Sequence, residues 1–171
     1  MKSFADLSPR EILAVAIASE EEDSRIYMAF ADDLRERYPA SAKVFEEMAA
    51  EESNHRHSLL ELYEKRFGTT LPPIRREDVK GFLKRRPIWL SSNLALDTIR
   101  KEAETMEFQA ARFYQRAAAQ TTDVEVRKLL EPAATSLAAQ RITREQIEGL
   151  RRSLATMREA HDAEELVVRD M

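Results

Sequence analysis

The chain has no cysteine, and only three glycines, six prolines and 7% aromatic residues in a length of 171. The missing cysteine excludes disulfides, thiolate-bound iron–sulfur clusters and Cys-rich zinc sites; it leaves the compartment open, with cytoplasm the best fit. Scarce glycine, proline and aromatics beside abundant Ala, Leu, Glu and Arg argue against a sheet protein and for an all-α fold. No run of ~18 apolar residues is present, and Met1-Lys2-Ser3-Phe4-Ala5-Asp6 lacks the apolar core of a signal peptide. As given, the chain is therefore expected to be soluble, with no transmembrane segment. Basic residues are not in excess either: the formal charge is −4, with 34% charged residues. That argues against nucleic acid as a partner, because nothing domain-wide would neutralise phosphates.

What the chain does have is helical periodicity. At this length one domain is expected, a four-helix bundle over residues 1–150 with 151–171 as an extension of the last helix or a tail. Ser8-Pro9-Arg10-Glu11 is a capping box with Pro at the first helical position, so the first helix starts there. Its inner seam reads Leu13, Ile17, Glu20, Ser24, Tyr27, Ala31 and Leu34, at alternating steps of four and three. Glu21, Glu22 and Asp23 fall off this seam and are assigned to a solvated face. Tyr38-Pro39 breaks the helix, and a second opens at Ala40 or Ser41 and ends at Gly68. The second seam reads Phe45, Met48, Glu52, His55, Leu59 and Leu62, whereas His57 is rotated by about 200° from His55 and is expected at the surface.

Residues 69–90 form the longest connector, with Pro72-Pro73, an expected short helix over 77–85, Pro87 and the lone Trp89. Such a crossover can carry the chain the length of a bundle and make the second and third helices parallel. Its cations Arg75, Arg76, Lys80, Lys84, Arg85 and Arg86 read as a solvated basic surface, the sharper alternative being contact with an anionic membrane or partner. A third helix is expected from Ser92 or Asn93 to Gln120, with Leu96, Ala103, Glu107, Ala110, Tyr114 and Ala117 inside and Glu104 bordering that face. Thr121-Thr122-Asp123 supplies a turn and an N-cap for a fourth helix. That helix carries Val126, Leu130, Ala133 and Leu137, later Ile147 and Leu154, with a kink expected at Pro132.

Glu52-Ser53-Asn54-His55 places a carboxylate and an imidazole one turn apart on an inner face, where both can reach one metal ion. Glu20 lies about 12 residues into its helix, Glu52 about 11 and Glu107 about 14, so at ~1.5 Å per residue the three converge at the bundle midplane. Carboxylates in an apolar interior must be protonated, paired or bound to a cation. No Lys or Arg occupies the matching depth on these seams, which favours a divalent metal over a network of protonated carboxyls. Oxygen-rich ligation with one imidazole suits iron or manganese better than structural zinc.

Glu20 followed seven residues later by Tyr27, Glu52-x-x-His55 and Glu104-x-x-Glu107 resemble the ligand set of the rubrerythrin branch of the ferritin-like superfamily, over roughly residues 8–140. The stretches at 19–28 and 71–83 are similar to the N-terminal ferritin-like domain of bacterial membrane-bound ferritin. The resemblance implies a ferritin-like bundle with a di-iron site and metal ligands at Glu20, Glu52, His55, Glu104 and Glu107, with manganese or zinc as substitutes. It also implies Fe(II) oxidation by oxygen or peroxide in support of iron export or detoxification. In the family the partner is a membrane iron-transporter domain, at the cytoplasmic face of the inner membrane.

One departure stands out. The family carries a second Glu-x-x-His on the fourth helix, but Thr135-Ser136-Leu137-Ala138-Ala139 occupies that depth. Glu131 comes about a turn too early, and Glu145, Glu148 and His161 come too late. One tightly held metal is therefore expected, with a second weak or absent. The competing reading is a regulatory or dimerisation module with a degenerate site. A homodimer is expected in either case, on the ground that Ala110, Ala111, Ala117 and Ala118 leave apolar surface on a lone bundle.

Overall fold

The computed structural model describes residues 1–82 and 85–135. Four helices make up most of it: α1 (Pro9–Leu34), α2 (Pro39–Phe67), α3 (Leu96–Gln120) and α4 (Val124–Thr135). The Ser8 hydroxyl accepts from the Glu11 amide while the Glu11 carboxylate accepts from the Ser8 amide, which closes the expected capping box at the start of α1. Gly68, at φ +79°, ends α2 in a conformation that a side chain would strain. The Asp123 carboxylate accepts from the amides of Glu125 and Val126 and so caps α4. The third helix starts later than expected, at Leu96. Asn93 takes a left-handed φ of 58°, and the Asp33 carboxylate of α1 instead binds the amides of Asn93 and Leu94.

The crossover holds no short helix over 77–85 among its described residues. One 3-10 turn, Arg76–Asp78, is followed by a two-residue strand β2 (Val79–Lys80) and a turn at Gly81 with φ +94°. β2 pairs in parallel with β1 (Lys2–Ser3), Lys2 opposite Val79. Extended pairing with the N-terminal strand and burial of the β-branched Val79 win over helix formation here. A second 3-10 turn, Ile88–Leu90, carries the chain past Trp89.

Two apolar clusters fill the bundle, one at each end. The first gathers Leu13 and Ile17 of α1, Leu59 and Tyr63 of α2, Phe113 and Ala117 of α3, and Val126 and Leu130 of α4, with Phe4 and Val79. The second gathers Tyr27, Phe30 and Leu34 of α1, Phe45 and Met48 of α2, and Ile99, Ala103 and Met106 of α3. The order in which each helix meets them fixes its direction: α1 runs from first to second, whereas α2 and α3 both run from second to first. The crossover therefore makes α2 and α3 parallel, as the connector length led one to expect. Between the clusters lies a layer of buried carboxylates, Glu20, Asp23, Glu52 and Glu107.

The alanine flank does not supply the exposed apolar face expected for dimerisation. Ala111 and Ala117 are buried and Ala110 and Ala118 are half-buried, with Ala117 and Ala118 packed in the first apolar cluster. α4 continues through Pro132 to Thr135. The expectations for Leu137, Ile147, Leu154, Glu145, Glu148 and His161, and the boundary at residue 150, lie outside the described residues. No described helix is long and apolar enough to cross a membrane.

Candidate metal site

α1 and α2 form a hairpin across the short turn before Pro39, and the Ser24 hydroxyl donates to the Ala49 carbonyl at 2.9 Å. That contact registers the polar step of α1 against that of α2. Glu20, Glu52 and His55 then each offer one ligand atom, all within 4.8 Å of one another. His55 Nδ1 lies 3.1 Å from Glu52 Oε2 and 3.7 Å from Glu20 Oε2. Both carboxylates are 4% exposed, while the imidazole is partly open to solvent.

Glu20 and Glu107 share a reciprocal arrangement across α1 and α3. Tyr27 of α1 donates to Glu107 Oε1 at 2.7 Å, and Tyr114 of α3 donates to Glu20 Oε1. Each tyrosine stands seven residues after the glutamate on its own helix, so two antiparallel helices are braced by the same motif read in opposite directions. Burial, then the negative charges of Glu107 and Asp23, push the Tyr27 phenol well above its usual range. It therefore remains a proton donor to Glu107. The equal seven-residue spacing was the sequence signal for this brace; which tyrosine meets which glutamate was not legible.

Glu104 does not join the cluster. Its side chain is 51% exposed and lies 3.7 Å from Arg100, because position 104 turns away from the face that holds Glu107. Glu107 is at the right layer but belongs to the Tyr27 pair and not to the three-residue cluster. His57 is exposed, as expected, and lies 3.3 Å from Glu61.

Asp23 and two of the crossover arginines overturn the expected solvated assignments. Asp23 is 6% exposed and is bound by Arg85 Nη1, which also reaches Glu22 at 3.2 Å. Arg76, 7% exposed, donates to Gln109 Oε1 of α3 at 2.7 Å and lies 3.8 Å from Glu22. The cations missing from the helical seams thus enter from the crossover, which lies along the groove between α1 and α3. Burial pushes the Asp23 carboxyl up from its usual range, while the Arg85 charge and hydrogen bond pull it back. Asp23 sits one turn from Glu20, so its nearness to the inner face was readable; the arginine partner was not.

The donor set of Glu20, Glu52 and His55 fits a divalent metal. Glu20 Oε2 is buried with no hydrogen-bond partner, and a buried carboxylate oxygen left so is costly unless a cation meets it. Metal–ligand bonds of about 2.0–2.2 Å bring donor atoms to about 3–4 Å from one another, a small contraction from the observed cluster. The rubrerythrin family model matches residues 11–136. The chain belongs to the rubrerythrin family. A second family model, described as FCD domain, matches residues 123–171, a minority of the chain that lies mostly outside the described residues. No curated protein and no solved structure shows significant similarity to the chain. Membership of the rubrerythrin family and the carboxylate–histidine cluster together support a ferritin-like domain with a metal site.

Proposed function

We propose that this domain binds Fe(II) through Glu20, Glu52 and His55, holds one ion tightly, and serves iron export or detoxification. The observation that carries the reading is the cluster of three donor atoms around a buried, unbonded Glu20 Oε2. Two hard carboxylate oxygens and one imidazole favour iron or manganese over zinc in a closed thiolate site. Bound iron supplies one-electron redox chemistry and Lewis acidity. The protein residues do the rest: Tyr114 fixes Glu20 through Oε1 and leaves Oε2 aimed at the cluster, and the two apolar clusters on either side keep water from the layer. The half-open His55 edge provides the route from solvent.

A homodimer, and a membrane iron-transporter domain in a longer protein at the cytoplasmic face of the inner membrane, belong to the same reading. The transporter domain is supported by the likeness of the stretches at 19–28 and 71–83 to membrane-bound ferritin.

Anaerobic dialysis against Fe(II) followed by metal analysis tests the core of the proposal. One ion per chain is expected for the wild type. Glu52→Ala should weaken binding by about 100-fold or more, since a ligand is lost outright. Admission of air then separates an oxidising site from a static one: Fe(II) oxidation faster than in buffer, and slowed in Glu52→Ala, supports the enzyme. Rates equal to buffer support the module with a static ion. A wild-type chain that retains no iron defeats the reading.

A further inference from the structure

The exposed face of α3 carries an aromatic and basic cleft that the metal cluster does not use. Of the seven phenylalanines, six are buried or half-buried, whereas Phe108 is 56% exposed. A single exposed apolar residue is ordinary; its surroundings set this one apart. Phe108 borders a cleft of about 50 Å³ that is also lined by Phe4, Phe82 and Phe113, whose rings lie 5.6–6.4 Å from one another. Pockets for drug-sized ligands run to about 300–1,000 Å³, so this cleft suits one inserted side chain better than a whole small molecule.

Two guanidiniums complete the lining. Arg112 lies 5.8 Å from the centre of the Phe108 ring, and Arg116 lies 4.2 Å from that of Phe4. Both arginines are exposed; among the described residues neither forms an ion pair, and no carboxylate lines the cleft. Stacking on the rings holds the two cations in place, so an arriving anion meets donors already ordered and loses less entropy on binding. The crossover side is fixed as well: buried Arg76 donates to Gln109 of α3 and lies 5.2 Å from the centre of the Phe82 ring.

Phe108, Arg112 and Arg116 follow one another at steps of four, so they form one stripe along α3 with intervals of about 6 Å. Two residues of extended chain rise about 6.7 Å, close to that interval, and their side chains share a face. An extended peptide with an apolar residue and then acids at every second position therefore matches the stripe side chain for side chain. A lipid surface fits it less well, because the cleft is recessed and one exposed phenylalanine offers little apolar area for insertion.

We propose that this stripe of α3 docks an extended acidic segment of a partner protein, its apolar residue entering the cleft beside Phe108 and its two carboxylates meeting Arg112 and Arg116. The site stands apart from the metal cluster, since Phe108 faces solvent where its neighbour Glu107 faces the buried layer.

Fluorescence anisotropy of the full chain with a fluorescein-labelled peptide, Gly-Phe-Ser-Asp-Ser-Asp-Gly, tests the proposal, with circular dichroism to verify folding. Saturable binding is expected, equal with and without Fe(II), and weaker at raised salt. The same peptide with Asn in place of both Asp should bind at least about tenfold more weakly, as should the wild-type peptide to Arg112→Glu, where like charges are brought together. Phe108→Ser should weaken binding on the order of tenfold through lost apolar contact, and Lys43→Glu, an exposed charge reversal on α2, should leave it unchanged. Phe108 and Arg112 are exposed, so both variants are expected to fold. No saturable binding below about 1 mM, or equal binding by wild type, Phe108→Ser and Arg112→Glu, overturns the proposal. Sedimentation of the wild type, but not of Phe108→Ser, with phosphatidylglycerol vesicles in the absence of peptide binding would assign the face to a membrane and overturn it. A wild-type dimer that Phe108→Ser dissociates would assign the face to a second copy of the chain and overturn it too.

Discussion

Glu20 and Asp23 stand one turn apart on α1 and are almost equally buried, at 4% and 6% exposure, yet their charges are met in different ways. On the α2 side, Glu20 meets another carboxylate, Glu52, and a partly open imidazole, and one of its oxygens has no hydrogen-bond partner. On the α3 side, Asp23 meets Arg85 and Tyr27 donates to Glu107. On one flank a guanidinium and a phenol of the chain meet the carboxylates; on the other, two carboxylates and an imidazole form the candidate metal cluster. The contrast shows how a single stripe of acids can be partly structural and partly a site.

Breaking the guanidinium flank should cost the most. Asp23→Asn leaves a buried guanidinium short of its partner and is expected to destabilise the metal-free protein by about 3 kcal/mol, read by urea denaturation. Glu20→Gln, one turn away, should do the reverse in the metal-free protein. It removes a buried charge that lies beside a second carboxylate, yet keeps an oxygen for Tyr114, so stability should stay level or rise by about 1 kcal/mol. Equal losses in the two variants would erase the distinction between the flanks.

A smaller effect is expected from the brace between helices. Tyr27→Phe removes a charge-assisted hydrogen bond to Glu107 and should cost about 1.5–3 kcal/mol in the same assay. Its effect should be equal with and without metal, because Glu107 lies outside the three-residue cluster.

The smallest effect lies far from both flanks and provides a pH control. Glu11 is held down to about 2 from 4.5, chiefly by the hydrogen bond from Lys2 and then by the Ser8 amide. A depressed folded pKa contributes stability that is fully present above about 4.5 and is lost as pH falls toward 2. Glu11→Gln should therefore cost about 1 kcal/mol at pH 7, a typical value for a cap, and the gap to wild type should close between pH 4.5 and 2. A gap independent of pH would mean that the carboxylate charge contributes nothing.

The helices and the polar layer were legible because both follow from local rules. Ser8 and Glu11, Gly68 and Asp123 mark helix ends by their own chemistry, and a spacing of three and four places Glu20, Glu52, His55 and Glu107 on inner faces whatever the helices pack against. Glu104 was misplaced by the same logic: three residues from Glu107, it borders the face, and only the packing of α3 leaves it on the exposed side, beside its own-helix neighbour Arg100. The crossover was the least legible. Nothing local distinguishes Arg76 and Arg85 from Arg75 and Arg86, and Val79 becomes strand only because Lys2-Ser3 lies alongside.

The sequence alone determined that the chain is helical, where α1 and α4 begin and α2 ends, that acids of three helices share one depth, and that α2 carries a Glu-x-x-His on its inner stripe. These are properties of periodicity and capping, which need only neighbours within a turn or two. The tertiary structure decided how those acids are compensated. Burial of Asp23 against Arg85, the crossed Tyr27–Glu107 and Tyr114–Glu20 bonds, and the meeting of Glu20 Oε2 with His55 join residues far apart in the chain. Whether a buried carboxylate becomes a salt bridge, a hydrogen-bond acceptor or a metal ligand depends on which distant group the fold brings to it.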